Sequence, residues 1–82
     1  MTISCIHYDH IEIVCMHHYP IKLTLHSGSI VEGTALDTQR NLKKEECIKL
    51  DTNGKQLLVV LDDISLLEVS VDNPHFKKIV FN

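Results

Sequence analysis

From Ile21 onward, turn-forming residues divide the chain into short apolar stretches, and this division most restricts its fold. Between Ile21 and Leu25, apolar residues alternate with polar ones, the period-two pattern of a strand with one buried face. Asn53-Gly54 separates two later stretches, and both residues tolerate the positive φ of a tight hairpin turn. The pattern predicts short antiparallel strands from residue 21 to about residue 81.

One helix is predicted before the strands, over about residues 9–18, where apolar residues recur at helical spacing. Asp9 and Glu12 are spaced as an N-cap residue and its N3 partner, and Pro20 is expected to end the helix. One helix before five or six strands predicts a mostly β fold, a small antiparallel barrel with an N-terminal α-helix. With 82 residues, we expect one domain over residues 1–82.

The charge of the chain argues against nucleic acid as its partner. Eleven acidic and eight basic residues give a formal net charge of −3, so the positive field that draws proteins to phosphate is missing. A basic protein, or a basic groove built to hold nucleic acid, is the better electrostatic match. The basic residues near the middle lie in the polar stretch from Thr38 to Glu46, predicted to be a loop or a flared hairpin end.

The three cysteines, Cys5, Cys15 and Cys47, are odd in number and irregularly spaced, which favours free thiols in a reducing compartment. The sequence shows no signal peptide and no apolar run long enough to span a bilayer. These features predict a cytoplasmic protein that does not contact membranes.

Catalysis and metal binding are the weaker interpretations. The densest group of potential zinc ligands combines thiol and imidazole side chains near the helix: Cys5, His7, His10, Cys15, His17 and His18. Its spacing lacks the paired two-residue gap of zinc sites, so we expect no metal and no other cofactor. No nucleophile elbow or glycine-rich phosphate loop is present, and we therefore expect no enzymatic activity.

Two family patterns can be read from the sequence. Gly28 to Gly33, followed by Asp37 to Asn41, resembles the first Sm motif, which implies an Sm-like barrel with a leading helix. In RNA-binding Sm proteins a second motif contains an arginine-glycine pair, and the segment from Asn73 to Asn82 has no such pair. The resemblance therefore implies the fold without the complete RNA pocket.

The closer resemblance covers nearly the whole chain and is to the Rho-specific inhibitors of transcription termination, the bacterial Rof or YaeO family. It is carried by these segments: Ile3-Ser4-Cys5, Tyr8-Asp9, Ile11-Glu12, Cys15, His17-His18, Lys22 to Leu25, Arg40-Asn41 and Leu61 to Ile64. The resemblance implies a monomeric Sm-like domain that docks on the N-terminal RNA-binding region of the Rho hexamer and blocks RNA loading.

The resemblance also implies which residues contact the partner. It assigns contacts to two regions, the helix and the central loop: Tyr8, Asp9, Glu12, Arg40, Asn41 and Lys43. Acidic side chains on the helix could compete for an electropositive RNA site by imitating phosphate charge. Tyr8 could anchor the interface or replace a stacked base, although core packing explains a tyrosine there equally well.

Three hypotheses follow for the function. The first is an antiterminator that binds Rho and prevents RNA engagement. The second is an Sm-like module that binds single-stranded RNA and assembles into a ring. The third is zinc binding through the N-terminal cysteines and histidines, which predicts stoichiometric metal in the purified protein.

Overall fold

The computed structural model describes residues 5–74 and 77–81, with side chains from Tyr8 onward. Its elements, in chain order, are α1 Cys5–Met16, β1 Pro20–Leu25, β2 Ile30–Arg40, β3 Glu46–Thr52, β4 Lys55–Val60, a 3₁₀ turn Leu61–Asp63, β5 Ile64–Val69 and β6 Lys78–Val80. The prediction of a mostly β chain with one N-terminal α-helix is confirmed.

All six strands belong to one antiparallel sheet in the order β4-β3-β2-β1-β5-β6. The sheet is not closed into a barrel in the described residues, because β4 and β6 are its two ends and do not pair with each other. The predicted barrel is therefore replaced by an open, bent sheet. One reason is that β6 has only three residues, all of which pair with β5.

The bend of the sheet is located in β2, which is shared between two neighbours. Its first half pairs with β1 as far as Thr34, and its second half pairs with β3 from Thr34 to Arg40. A register shift between Ala35 and Asp37 marks the irregularity between the halves, and such bulges bend and twist a strand. Gly33 lies beside this bend, where an added Cβ would come within 2.6 Å of Thr52 Oγ1.

The helix differs from its prediction at both ends. It begins at Cys5 rather than near Asp9, so Asp9 lies inside the helix and cannot be the N-cap residue. At the other end, His18 has a φ of 51°, its N–H donates to the Cys15 carbonyl, and the Tyr19 N–H donates to the Val14 carbonyl. These two bonds form a Schellman motif. The helix therefore ends at Met16, before Pro20, which begins β1 instead.

The core lies between α1 and one face of the sheet. The helix contributes Ile11, Val14 and Cys15, and α1 packs on β2. Strand residues complete the buried cluster: Ile21, Leu23, Ala35, Ile48, Leu50, Val59, Leu61, Ile64, Leu67, Val69 and Phe81. Because the described buried residues include no polar or charged side chain, this apolar contact fixes how the helix lies against β2.

The central polar stretch is more ordered than predicted. Residues 38–40 belong to β2 and pair with residues 46–48 of β3, so the connecting loop covers only residues 41–45. The other hairpin agrees with its prediction, because Asn53 and Gly54 both have positive φ, 52° and 84°, between β3 and β4.

Candidate functional site

A groove separates α1 from the second half of β2. Two cavities lie along it, of about 350 Å³ and about 240 Å³. Thr38 lines both of them, so they are neighbours along β2, and we call them the larger and smaller ends of the groove. The larger end is lined by Glu12, Cys15, Met16, His18, Leu36 and Asp37. The smaller end is lined by Tyr8, Gln39, Arg40 and Glu46.

The solvent-facing side of α1 carries two carboxylates and a thioether. Asp9, Glu12 and Met16 are all exposed, and Met16 retains 73% of its accessible surface. Their spacing places them on one face of the helix, because residues three and four apart are neighbours on a helix surface. Since Ile11, Val14 and Cys15 face the core, the helix is anchored by one side and presents charge on the other.

The larger end of the groove is acidic. Glu12 comes from the helix and Asp37 from β2, and Cys15 lines the same cavity with only 7% of its surface exposed. Burial, and then the charges of Asp37 and Glu12, raise the pKa of the Cys15 thiol from 9.0 to about 12. The thiol is therefore protonated at neutral pH and unsuited to nucleophilic chemistry. Asp37 Oδ1 also accepts a hydrogen bond of 2.8 Å from the Thr38 N–H.

The smaller end brings two of the predicted contact residues together. Tyr8 is half-buried, packs against the core cluster and lines the cavity with Arg40. Arg40 is exposed and lies 3.6 Å from Glu46, measured from Nη2 to Oε1. Tyr8 therefore packs against the core, as one interpretation expected, and also borders the groove.

The loop of residues 41–45 is held by Asn41. The Asn41 Oδ1 accepts hydrogen bonds from the N–H groups of Lys43 and Glu45, at 2.9 and 3.0 Å, and its Nδ2 donates to Glu45 Oε1 at 3.0 Å. The backbone of Asn41 adds two more hydrogen bonds in the loop. Its N–H donates to the Glu45 carbonyl, and its carbonyl accepts from the Lys44 N–H. The amide of Asn41 is therefore engaged within the loop, whereas Lys43 is exposed.

The structure gives no support to the zinc hypothesis within its described part. Among the described residues, no three histidine, cysteine or acidic side chains are grouped so that they could hold a metal ion. The side chains of Cys5 and His7 lie outside the described residues. The ring of His17 stacks on that of Tyr19, with centroids 5.1 Å apart. Cys15 and Cys47 are buried free cysteines.

Met16 and Asp37 are among the groove residues that the sequence did not predict as contacts. Met16 was overlooked because methionine in an apolar helix usually packs in a core. Asp37 was noted only as part of an Sm-like pattern, since nothing local indicates that its strand returns beside the helix. The signal that could have found Met16 was its helical spacing from Asp9 and Glu12.

Comparison with known proteins decides the family. The family model described as modulator of Rho-dependent transcription termination, ROF, matches residues 2–81. The chain belongs to the Rof family. It is also similar to a solved structure titled "YaeO bound to Magnesium" from Vibrio cholerae O395, with 44% sequence identity and a TM-score of 0.88. That similarity covers 92% of this chain and 97% of the other. The comparison with curated protein sequences found no match.

Membership in the Rof family places the chain among modulators of transcription termination. The family modulates Rho-dependent termination and is a regulatory family rather than a family of enzymes. In the described part of the chain, no helix has the length and apolar character needed to cross a membrane.

Proposed function

We propose that this Rof-family protein binds the Rho hexamer directly at its N-terminal RNA-binding region and prevents RNA from loading. In this account it acts in the cytoplasm as a stoichiometric antiterminator and a monomer, without cofactor or turnover. The exposed face of α1 and the groove beside it form the proposed contact surface, with contributions from Tyr8, Asp9, Glu12, Arg40, Asn41 and Lys43.

The observation that carries the proposal is the arrangement of the helix. Ile11, Val14 and Cys15 fix α1 against the sheet, while Asp9 and Glu12 are exposed on the opposite side. Tyr8 borders the same groove. A surface that is already rigid loses little conformational entropy when it binds. The helix therefore presents two carboxylates and an aromatic edge in a fixed arrangement.

Electrostatics supports RNA exclusion in particular. A site that holds RNA must be electropositive, and this chain has a net charge of −3 with acidic side chains on the exposed face of α1. Charge complementarity speeds the encounter of two proteins and favours the correct partner. The same acidic surface disfavours direct RNA binding, and the Sm-like RNA-binding alternative gains no support from the family match.

The two regions contribute differently in this proposal. The helix supplies charge directly through Asp9 and Glu12. In the loop, Lys43 is exposed and suited to contact, whereas Asn41 holds the loop in shape. Asn41 is thus proposed as a positioning residue, and Arg40 contacts the partner from the smaller end of the groove.

A competition assay tests the proposal. Rho is saturated with a fluorescent cytosine-rich RNA, the protein is titrated in, and RNA release is followed by anisotropy while complex formation is followed by gel filtration. We expect RNA release to accompany co-elution with Rho. The Asp9→Asn, Glu12→Gln double variant should release RNA at least about tenfold less effectively, because tenfold corresponds to about 1.4 kcal/mol and close charge pairs across an interface can couple by about 1.5–7 kcal/mol.

The neutral variants preserve side-chain shape, and circular dichroism checks that the helix remains folded. A matched control is Asp62→Asn, which removes an exposed carboxylate from the 3₁₀ turn. Unchanged RNA release by the helix variant would contradict the charge mechanism. Binding of the labelled RNA by this protein, without binding to Rho, would contradict the proposed function itself.

A further inference from the structure

The larger end of the groove has the features of a receptor for one long basic side chain. It contains about 350 Å³ and is bordered by Glu12 from the helix and Asp37 from β2. We infer that this cavity receives a lysine or arginine side chain of the bound protein, held between Glu12 and Asp37. The inference rests on the proposed binding to Rho and extends it to a defined pocket and to Asp37.

The two carboxylates reach the cavity from different elements. Both are exposed, and the charges of both act on the thiol of Cys15. Within the part of the chain that the structure describes, no basic side chain forms an ion pair with Glu12 or Asp37. The ion pairs in that part join Arg40 to Glu46 and Lys77 to Asp72. The groove therefore has negative charge that a basic partner can neutralise.

The floor and rim of the cavity suit the rest of a long side chain. Cys15 is more than nine-tenths buried and lines the cavity, and its thiol has no hydrogen-bond partner among the described residues. Met16 lies on the rim with 73% of its surface exposed. The methylene stem of a lysine or arginine packs well on such flexible apolar surface while its charged end reaches the carboxylates. Charge and apolar surface therefore point to the same occupant.

Asp37 provides a test that does not disturb the helix. Its Oδ1 accepts a hydrogen bond from the Thr38 N–H, and asparagine has an Oδ1 that can accept the same bond. Asp37→Asn thus removes the charge and can keep the hydrogen bond to the Thr38 N–H within β2. The matched control is Glu32→Gln, which removes an exposed carboxylate from the same strand outside this cavity.

The experiment measures affinity for RNA-free Rho hexamer by fluorescence titration at two salt concentrations. We expect Asp37→Asn to weaken binding about tenfold, with a shallower dependence on salt, and Glu32→Gln to change it less than twofold. The effects of Asp37→Asn and Glu12→Gln on affinity should also be non-additive, because each variant removes one of the two carboxylates that contact the same basic group. The double variant should bind clearly tighter than the product of the two single effects predicts.

The outcomes distinguish this inference from the proposed function. One outcome is that Glu12→Gln weakens binding while Asp37→Asn changes the affinity no more than the Glu32→Gln control does. The inferred pocket for a basic residue would then be wrong, and the proposed binding through the helix would stand. Strictly additive effects of Glu12→Gln and Asp37→Asn would likewise overturn a shared basic group. If the unaltered protein does not bind Rho, the proposed function fails before the pocket is reached.

Discussion

The helix face and the loop of residues 41–45 both carry predicted contact residues, but they use their polar groups in opposite ways. On α1, Asp9 and Glu12 are exposed because apolar residues on the other side of the helix hold it in place. In the loop, the amide of Asn41 is engaged by Lys43 and Glu45. A polar group can serve a partner fully only where other interactions maintain the local structure.

This comparison assigns different consequences to mutations in the two regions. Removing a charge from the helix face should reduce binding and leave stability nearly unchanged. Removing the amide of Asn41 should first loosen the loop and reduce binding as a result. Five predictions, ordered from the largest expected effect to the smallest, test how these regions are held in place.

The largest contrast concerns the groove floor. Because burial and the charges of Asp37 and Glu12 raise the pKa of Cys15 to about 12, its thiolate population at pH 9 should be about a thousandth. We expect iodoacetamide to label folded Cys15 at least about a hundredfold more slowly than the urea-unfolded chain, as followed by peptide mass spectrometry. Equal rates for folded and unfolded chains would show that Cys15 is not enclosed.

The raised pKa of Cys15 also predicts how the stability of the protein changes with pH. The thiol binds its proton more tightly in the folded state, so its contribution is fully present below about pH 9 and is lost as pH rises towards 12. Urea unfolding between pH 8 and 11 should show a steeper loss for the unaltered protein than for Cys15→Ala. Parallel stability curves would contradict this assignment.

The next effect concerns the anchoring side of the helix. Ile11 is fully buried against the sheet, so Ile11→Ala should lower the free energy of unfolding by about 2–5 kcal/mol. Chemical denaturation followed by circular dichroism measures this loss. Ile30→Ala is the control, because Ile30 is 56% exposed and its loss should cost at most about 1 kcal/mol. Equal losses would mean that α1 is not held by this face.

A smaller effect is expected for the loop. Asn41→Ala leaves the N–H groups of Lys43 and Glu45 without their protein acceptor, and should cost about 1 kcal/mol of stability. Lys43→Ala should cost less than about 0.5 kcal/mol, because that side chain is exposed. Thermal unfolding of both variants makes the comparison. If Lys43→Ala destabilises as much as Asn41→Ala, the loop is not organised by the asparagine.

The smallest effect is expected for the Arg40–Glu46 ion pair. Both side chains are exposed and their charged atoms are 3.6 Å apart, so a double-mutant cycle of Arg40→Gln and Glu46→Gln should give a coupling of about 0–1 kcal/mol. A coupling above about 2 kcal/mol would assign Arg40 a structural role. With weak coupling, a loss of Rho affinity in Arg40→Gln reports on the interface.

Local patterns predicted most of the fold because they act over a few residues. Alternation in the segment after Pro20 and the positive φ of Asn53 and Gly54 require only neighbouring residues. The helix ends were misplaced because the Asp9–Glu12 spacing imitates a capping box, while the actual end depends on His18 in a left-handed conformation. Residue type alone does not reveal which of several polar residues adopts that conformation.

The site was less predictable because it depends on contacts between distant segments. The groove exists only where the bend of β2 brings Asp37 beside the helix. The family resemblance identified Tyr8 and Glu12 as candidates, and the structure places both along this groove. The family resemblance did not indicate Met16 or Asp37 as contact residues, since their roles depend on how the helix lies against the sheet.

Site-specific photo-cross-linking tests the central claim most directly. The photoreactive residue p-benzoylphenylalanine would replace Tyr8 in the groove. As a control it would replace Leu57 on the edge strand β4, where the Leu57 side chain is 41% exposed. After irradiation with Rho, mass spectrometry locates the cross-linked peptides. We expect cross-links from position 8 to the N-terminal RNA-binding region of Rho and few from position 57. Cross-links mainly from position 57, or from position 8 to another part of Rho, would contradict the central claim.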